Sequence, residues 1–203
     1  THGTDDAQHG RIKIFESGTI DLDNGGASGT LTNRLRITTD GKIIAGHTAS
    51  RDVFKETRVQ ISGANGDDAG LSIYSTEEGI SAPNLILGHS RNGAAVDSGD
   101  ILGDITFVGH DGTDLNSRAS IIRSIMTADG TNNSLYADLV FYTKRNSGGY
   151  PEESLRITSG RNVGINSTNP TSYANSQATL VIEDTISPAL CISDTGQARD
   201  WFI

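Results

Sequence analysis

The chain has 203 residues, of which 34% are hydrophobic and 5% aromatic, and 24 are glycine. With a net charge of −9 and no cluster of Lys and Arg, its surface should repel a phosphate backbone, so we expect no nucleic-acid partner. A single cysteine excludes an intrachain disulfide framework, and no apolar stretch approaches the length of a membrane span, so we expect no membrane insertion.

Residues 1–34 start as a polar lead-in and continue into two short runs, Ile12–Phe15 and Ile20–Leu22, in which apolar and polar residues alternate. Alternation with a period of two predicts strands. By a loose sequence match, the stretch Ile12–Leu22 is also a candidate for the end of an earlier copy of the repeated β module described below.

Residues 35–56 hold the clearest local pattern, a hairpin over Leu35–Ala45 that turns at Asp40-Gly41. Glycine favours such turns because it tolerates a positive φ. The connector that follows, His47–Lys55, is expected to hold at most one helical turn.

Residues 57–170 are predicted to form a central β module that ends in a second hairpin, because short apolar runs alternate there with Gly, Asn and Asp turns. The predicted strands are Arg58–Ser62, Leu71–Tyr74, Asn84–Leu87, Asp104–Val108, Ala119–Met126, Ala137–Thr143 and Leu155–Thr158. No segment keeps a long helical period, so the fold class is all-β, with short antiparallel strands in sandwich-like or knob-like modules.

Residues 171–203 are predicted to be a linker followed by the truncated start of a repeated module. Asn169-Pro170 marks the beginning of the linker, since proline ends regular structure. The chain begins at Thr1 without methionine and ends on the apolar residues Trp201–Ile203, so we expect a piece of a longer polypeptide.

Two segments 120 residues apart have nearly the same sequence, Leu35–Thr39 (LRITT) and Leu155–Ser159 (LRITS). Two further matches keep the same order at offsets of 121 and 119: Val59 with Leu180, and Leu71 with Leu190. Three matches with one period predict a β module that is used more than once along a rod.

The arginines of the repeated phrase alternate with its apolar residues. Arg36 and Arg156 should therefore point away from the apolar face, or lie between chains. Glu152 and Glu153 are close enough in sequence to pair with Arg156, and a surface ion pair of this kind contributes at most about 1 kcal/mol.

The order of these phrases resembles the tail fibres of bacteriophages, especially those of phages that infect marine bacteria and cyanobacteria. The segments that carry the resemblance are Leu35–Ile37, Asp40–Gly46, Ser98–Phe107, Gly109–Thr113, Leu139–Thr143, Glu153–Ser159, Asn162–Ile165 and Asn169-Pro170. One departure is Asn166-Ser167, where such fibres usually have Gly-Thr.

The resemblance implies an elongated homotrimeric fibre in the virion, joined to other tail proteins, whose distal domains contact a host glycan or an outer-membrane receptor. A self-cleaving chaperone domain often follows in such fibres, and nothing in this sequence corresponds to one. Short strands with few apolar residues also favour a trimer, because three chains can each place one apolar face against a shared axis and exclude water there. The predicted function is a structural tail-fibre segment that mediates host attachment.

Two other functions stay open. A spike enzyme that degrades polysaccharide would need a carboxylate pair, and the sequence offers Asp67-Asp68, Glu77-Glu78, Glu152-Glu153, Glu183-Asp184 and the group Asp97, Asp100 and Asp104. Adjacent carboxylates in loops have no fixed separation, so we favour solvated turns and predict no catalytic residue. A bacterial surface adhesin with a similar repeat is the second alternative.

We expect neither a cofactor nor a metal. Asp21–Gly25 starts like a calcium loop but lacks the later glutamate, and the five histidines are scattered without ligand spacing. Cys191 is predicted to be a small, buried hydrophobic residue.

Host specificity should lie in the loops at Gly63–Gly70, His89–Gly99, Gly109–Ser117 and Asp129–Leu135. Six residues in or beside turn-rich loops are the candidates for receptor contact: Asn92, Asp111, Asn132, Asn133, Tyr136 and Tyr150. The tyrosines are included because exposed aromatic rings suit sugar binding, whereas Tyr74, Tyr142 and Trp201 are expected to pack in a core or an interface.

Overall fold

The computed structural model describes residues 11–25, 31–63, 69–76, 78–80, 82–145, 149–171, 178–184, 188–194 and 199–202. For residues 24–25, 31–34, 191–194 and 199–202 it describes the backbone alone. Cys191 and Trp201 therefore have side chains outside the described set. The regular elements of the described residues are all β-strands, which confirms the all-β prediction.

The strands are short and most of them pair with their neighbour in sequence. Their bounds are β1 Arg11–Ile14, β2 Ile20–Gly25, β3 Leu31–Ile37, β4 Ile43–Ala45, β5 Val59–Ile61, β6 Ile101–Gly109, β7 Ser117–Met126, β8 Ala137–Thr143, β9 Glu152–Ile157, β10 Val163–Ile165, β11 Leu180–Ile182, β12 Cys191–Asp194 and β13 Arg199–Phe202.

The chain divides into two units, residues 1–84 with 113–116, and residues 85–112 with 117–203. The first unit holds a five-stranded sheet in the order β1-β2-β3-β4-β5, and the second holds a six-stranded sheet in the order β11-β10-β9-β8-β7-β6. Both are antiparallel except for one parallel pair each, β4–β5 and β10–β11. A separate antiparallel hairpin, β12–β13, belongs to the second unit.

The repeated phrase has the same structure in both sheets. Leu35 pairs with Ala45 as Leu155 pairs with Ile165, and Ile43 pairs with Val59 as Val163 pairs with Leu180. Both turns have the same pattern, because the backbone N–H groups of residues 42 and 162 each donate to a threonine Oγ1, at 2.9 and 3.0 Å. The match predicted at offsets of 120 and 121 is therefore a structural repeat.

The two copies differ at the middle residue of the second strand of the hairpin. Ile44 fills this position in the first copy and is fully buried, whereas the second copy has Gly164. A Cβ on Gly164 would lie 2.6 Å from the Ser167 carbonyl oxygen and 2.9 Å from Cγ of Pro170. The chain after β10 thus takes the space that the Ile44 side chain takes in the first copy.

In the first sheet one face is ionic. Arg36 donates two hydrogen bonds to Asp21, both 2.7 Å long, and Lys13 and Arg11 pair with Asp23 at 2.8 and 3.0 Å. Strand alternation places Ile12, Ile14, Leu22, Ile37, Ile43, Val59 and Ile61 on the opposite face, where each is exposed. No described residue of the unit covers that apolar face.

The second sheet has the same division. Arg156 donates to both oxygens of Glu153 at 2.7 Å and to Asp138 at 2.6 Å, and Arg123 donates to both oxygens of Asp104 at 2.8 Å. Register puts Val140 between the two arginines, and it is fully buried because their aliphatic stems lie on the same face.

On the opposite face of the second sheet the apolar side chains are half-buried or exposed. They are Ile105, Phe107, Ile122, Leu139, Phe141, Leu155, Ile157, Val163, Ile165, Leu180 and Ile182. Leu139, Ile157 and Ile165 lie near the middle of this face and are still 39%, 40% and 39% exposed. Of the described hydrophobic residues in the whole chain, five are buried: Ile44, Val96, Ile121, Met126 and Val140.

Several sequence predictions were wrong. Leu71–Tyr74 and Asn84–Leu87 are not strands in this chain, since neither segment has a partner strand to complete its hydrogen bonds. Tyr74, expected to pack, is exposed. The connector His47–Lys55, for which at most one helical turn was expected, contains none, and its residue Val53 forms a strand bridge with Leu115.

Gly46 provides a test of how closely the chain after β4 approaches the chain after β5, its parallel partner. Gly41 and Gly46 both have a φ of +78°, but a Cβ on Gly46 would lie 2.1 Å from the Ser62 carbonyl oxygen. A Cβ on Gly41 meets only the end of the Arg58 side chain, at 3.7 Å. The two glycines thus share the same left-handed φ and differ in what a side chain at each would contact.

We expect Gly41→Ala to lower the free energy of unfolding by about 1–2 kcal/mol, the cost of a left-handed alanine. Gly46→Ala should cost at least about 2 kcal/mol more, because the backbone of Ser62, the residue after β5, must move. Urea denaturation of both variants measures the difference. Equal costs would contradict the close approach of Ser62 to Gly46.

Candidate functional site at the two ends of the second sheet

The six candidate contact residues lie in two groups. Asn92, Asn132, Asn133 and Tyr136 belong to residues 89–100 and 127–136, called loop cluster 1, where β6 begins and β7 ends. Asp111 and Tyr150 belong to residues 109–112, 117–119, 143–145 and 149–150, called loop cluster 2, where β6 ends and β7 begins. A nine-residue strand such as β6 spans roughly 25–30 Å, so the six residues do not form one small-ligand site.

Two tight turns project from loop cluster 1. Arg91 and Ala94 exchange backbone hydrogen bonds of 3.3 and 2.9 Å across Asn92-Gly93, and Thr131 and Ser134 do so at 3.1 and 3.0 Å across Asn132-Asn133. Asn92 has a φ of 52° and Asn133 a φ of 60°. Asparagine tolerates this left-handed region better than most residues, which explains why it occupies both turns.

An ion cluster fixes the base of the first turn. Arg91 donates to both oxygens of Asp100 at 2.7 and 2.9 Å and also pairs with Asp97. The Arg91 guanidinium, together with the Asp97 backbone N–H, holds the pKa of the Asp100 carboxyl well below its usual range. Asp129 ties the second loop to the first by accepting a 2.9 Å hydrogen bond from the Ser98 N–H.

Beneath these turns the loops pack on Val96, which is buried. The Gly130 N–H donates to the Val96 carbonyl at 2.7 Å. Tyr136 is held by its backbone, since its carbonyl accepts from Thr127 N–H at 2.9 Å and from Thr127 Oγ1 at 3.2 Å. Its side chain is 54% exposed, as a contact residue requires.

Loop cluster 2 contains an open cleft of about 510 Å³. Residues 109–111, 117–119 and 144–145 line it. Asp111 accepts a 2.6 Å hydrogen bond from Ser117 Oγ at its edge. Beside it, the Arg118 guanidinium carbon lies 3.4 Å from the centre of the Tyr150 ring, and Tyr150 is 66% exposed.

The sequence analysis missed the cations of this cleft, Arg118, Lys144 and Arg145. The adjacent pair Lys144-Arg145 was a usable signal in an acidic chain. Arg118 could not be added from sequence alone, since only the pairing of β7 with β8 brings it near them. Of the predicted specificity loops, the one at Gly63–Gly70 lies mostly outside the described residues.

Among the described residues, no three His, Cys, Asp or Glu side chains gather closely enough to hold a metal ion. No described helix is long and apolar enough to cross a membrane.

No protein-family model matches the chain, and no curated protein matches it either. Solved structures do. The carboxy-terminal domain of the bacteriophage T5 L-shaped tail fibre matches with a TM-score of 0.59 and 14% identity, over 78% of this chain and 69% of that one. The chain has the fold of a phage tail-fibre domain.

The same T5 tail-fibre domain, solved together with its intramolecular chaperone domain, matches with a TM-score of 0.61 and 14% identity. That match covers 90% of this chain and 54% of the other, so this chain spans about half the length of that structure. At this identity the likeness establishes the tail-fibre fold.

Asp100→Asn tests the ion cluster of loop cluster 1. Because the pKa of Asp100 is lowered on folding, the stabilisation it gives is complete above the unfolded pKa of about 3.9 and is lost as the pH falls towards the folded value. We expect the variant to melt at a lower temperature than the wild type by a constant amount between about pH 5 and pH 8, and the gap to shrink below about pH 4.

Thermal melts across this pH range measure the gap. Asp52→Asn, at an exposed carboxylate that has no ion pair among the described residues, serves as the control and should melt like the wild type. A gap that stays constant down to pH 2 would contradict the assignment to Asp100.

Proposed function

We propose that the chain is a structural, non-enzymatic segment of a phage tail fibre, located in the virion and joined to other tail proteins. It assembles as a homotrimer and contacts a glycan or an outer-membrane receptor of the host. The observation that carries this proposal is the uncovered apolar face of each sheet, in a fold shared with a T5 tail-fibre domain.

The burial pattern supports a partner for each apolar face. Full burial of a Leu or Ile side chain contributes about 1.5–3 kcal/mol, and side chains such as Leu139 and Ile157 still have more than a third of their surface to bury. Monomeric proteins rarely expose large contiguous apolar patches. A surface of this kind on both sheets is typical of chains that complete their core by assembly.

Copies of the same chain are the simplest partner. Each sheet directs its ion pairs to one face and its apolar residues to the other, so packing against identical chains would bury the apolar face of each sheet while its ionic face stays wet. Closed rotational symmetry is the usual outcome when one surface recurs on identical subunits. The number three comes from the tail-fibre resemblance.

The acidic residues support a structural role. A glycosidase acid needs a raised pKa, whereas Asp100 has a lowered pKa because Arg91 binds it. Asp104 and Glu153, which also belong to carboxylate groups noted in the sequence, are each bound by both arms of an arginine. Carboxylates held in this way stabilise the folded chain through their ion pairs and are poorly placed to transfer protons.

Light scattering of the purified chain tests the assembly. We expect a mass of about 64 kDa, three times the chain mass of 21.4 kDa. Ile157→Asp places a charge on the apolar face and should shift the mass towards that of one chain. Ile80→Asp is the matched control, because Ile80 is fully exposed, and it should remain assembled. A wild-type chain that is monomeric at every concentration would contradict the proposal.

Host attachment is tested with antibodies raised against the 203-residue chain. We expect them to label the fibres of virions that carry this sequence in electron micrographs, and to slow adsorption to host cells. Antibodies to the major capsid protein serve as the control. Labelling without any change in adsorption would assign the segment to the shaft and contradict the contact role.

A further inference from the structure

The cleft in loop cluster 2 is basic on an acidic protein. Arg118, Lys144 and Arg145 line it together with one carboxylate, Asp111, so it carries a local excess of positive charge where the chain as a whole has a charge of −9. A concave site lined by one sign of charge concentrates ligands of the opposite sign. The excess of positive charge in the cleft therefore suits an anion.

Strand pairing assembles the three cations. Ser120 of β7 lies opposite Thr143 of β8, and the Lys144 N–H donates to the Ala119 carbonyl at 3.0 Å. The start of β7 and the residues just after β8 are thereby held at one end of the sheet. The positions of these backbones follow from the sheet and not from a long loop.

Lys144 and Arg145 differ from three arginines of the second unit. Arg91, Arg123 and Arg156 each have their guanidinium bound by a carboxylate of the same chain. Lys144 and Arg145 make no ion pair among the described residues. Their charges are therefore available to a ligand.

An aromatic ring adjoins the charged cleft. The Arg118 guanidinium lies over Tyr150, and this stacking orients its N–H donors, while two thirds of the Tyr150 side chain stays exposed. Ser117 and Asp111 add a hydroxyl and a carboxylate that can hydrogen-bond to sugar hydroxyls. Cations, an exposed ring and polar acceptors together suit a sugar that bears a negative charge.

We propose that this cleft binds a negatively charged sugar of a host surface glycan, with Lys144 and Arg145 on the anionic group and Tyr150 beside the sugar ring. The proposal rests on the proposed function and names the ligand class of its contact surface. The cleft volume of about 510 Å³ lies within the range of small-ligand sites. The anionic group is a carboxylate or a phosphate, and the experiment separates the two.

The test is titration calorimetry on the assembled 203-residue chain. The probes are a hyaluronan tetrasaccharide for sugar carboxylates, glucose 6-phosphate for sugar phosphates, cellotetraose as the neutral sugar and inorganic phosphate as the bare anion. We expect one of the two charged sugars to bind, the neutral sugar not to bind, and affinity to fall as salt is raised, because salt screens exposed charges.

Lys144→Gln combined with Arg145→Gln should weaken binding of the charged sugar by about tenfold or more, since charge-assisted hydrogen bonds are lost. Lys55→Gln combined with Arg161→Gln removes the same charge from two exposed positions outside the cleft and should leave affinity unchanged. Tyr150→Ala should weaken binding of the charged sugar more than binding of inorganic phosphate.

The proposal is overturned if neither charged sugar binds, if both double variants lose affinity equally, or if the sugars bind only the dissociated chain, which would assign the cleft to a neighbouring copy. Virion labelling and slowed adsorption without sugar binding would overturn this inference alone. Sugar binding by a chain that is monomeric would support the cleft and overturn the assembly.

Discussion

Each sheet of this protein has one face on which charged side chains pair with one another and an opposite face whose apolar side chains no described residue of the same unit fully covers. On the ionic faces, Arg36 and Arg156 each donate two or more hydrogen bonds to carboxylates of the same unit. The period of two along a strand then sends the apolar residues that flank these arginines to the other side. The described residues of each unit provide no second layer to cover those side chains, and the proposed assembly rests on this observation.

Local patterns predicted the fold well where partners are close in sequence. The hairpins around Asp40-Gly41 and in the second copy were found because turn and strands lie within a dozen residues, and Glu153 was matched to Arg156 for the same reason. Asp21, the partner of Arg36, was missed because it lies 15 residues away in sequence, outside the hairpin. Strand-like sequences such as Leu71–Tyr74 remained unpaired, since alternation indicates a capacity for pairing and does not provide a partner.

The candidate site was predicted in part. Turn composition located exposed residues such as Asn92 and Tyr150 correctly, because Asn and Gly turns lie at the surface. It could not show that these two belong to opposite ends of one sheet, since that depends on the register of β6 with β7. The basic cleft was missed because Arg118 reaches Lys144 and Arg145 only through the pairing of β7 with β8.

The hairpin and its parallel strand recur with identical pairing although the connecting segment is one residue longer in the second copy, the offsets being 120 and 121. The ladder therefore tolerates changes of length in that connector. We expect a crossover between two such sequences within the repeated phrase to keep the hairpin pairing on both sides of the junction.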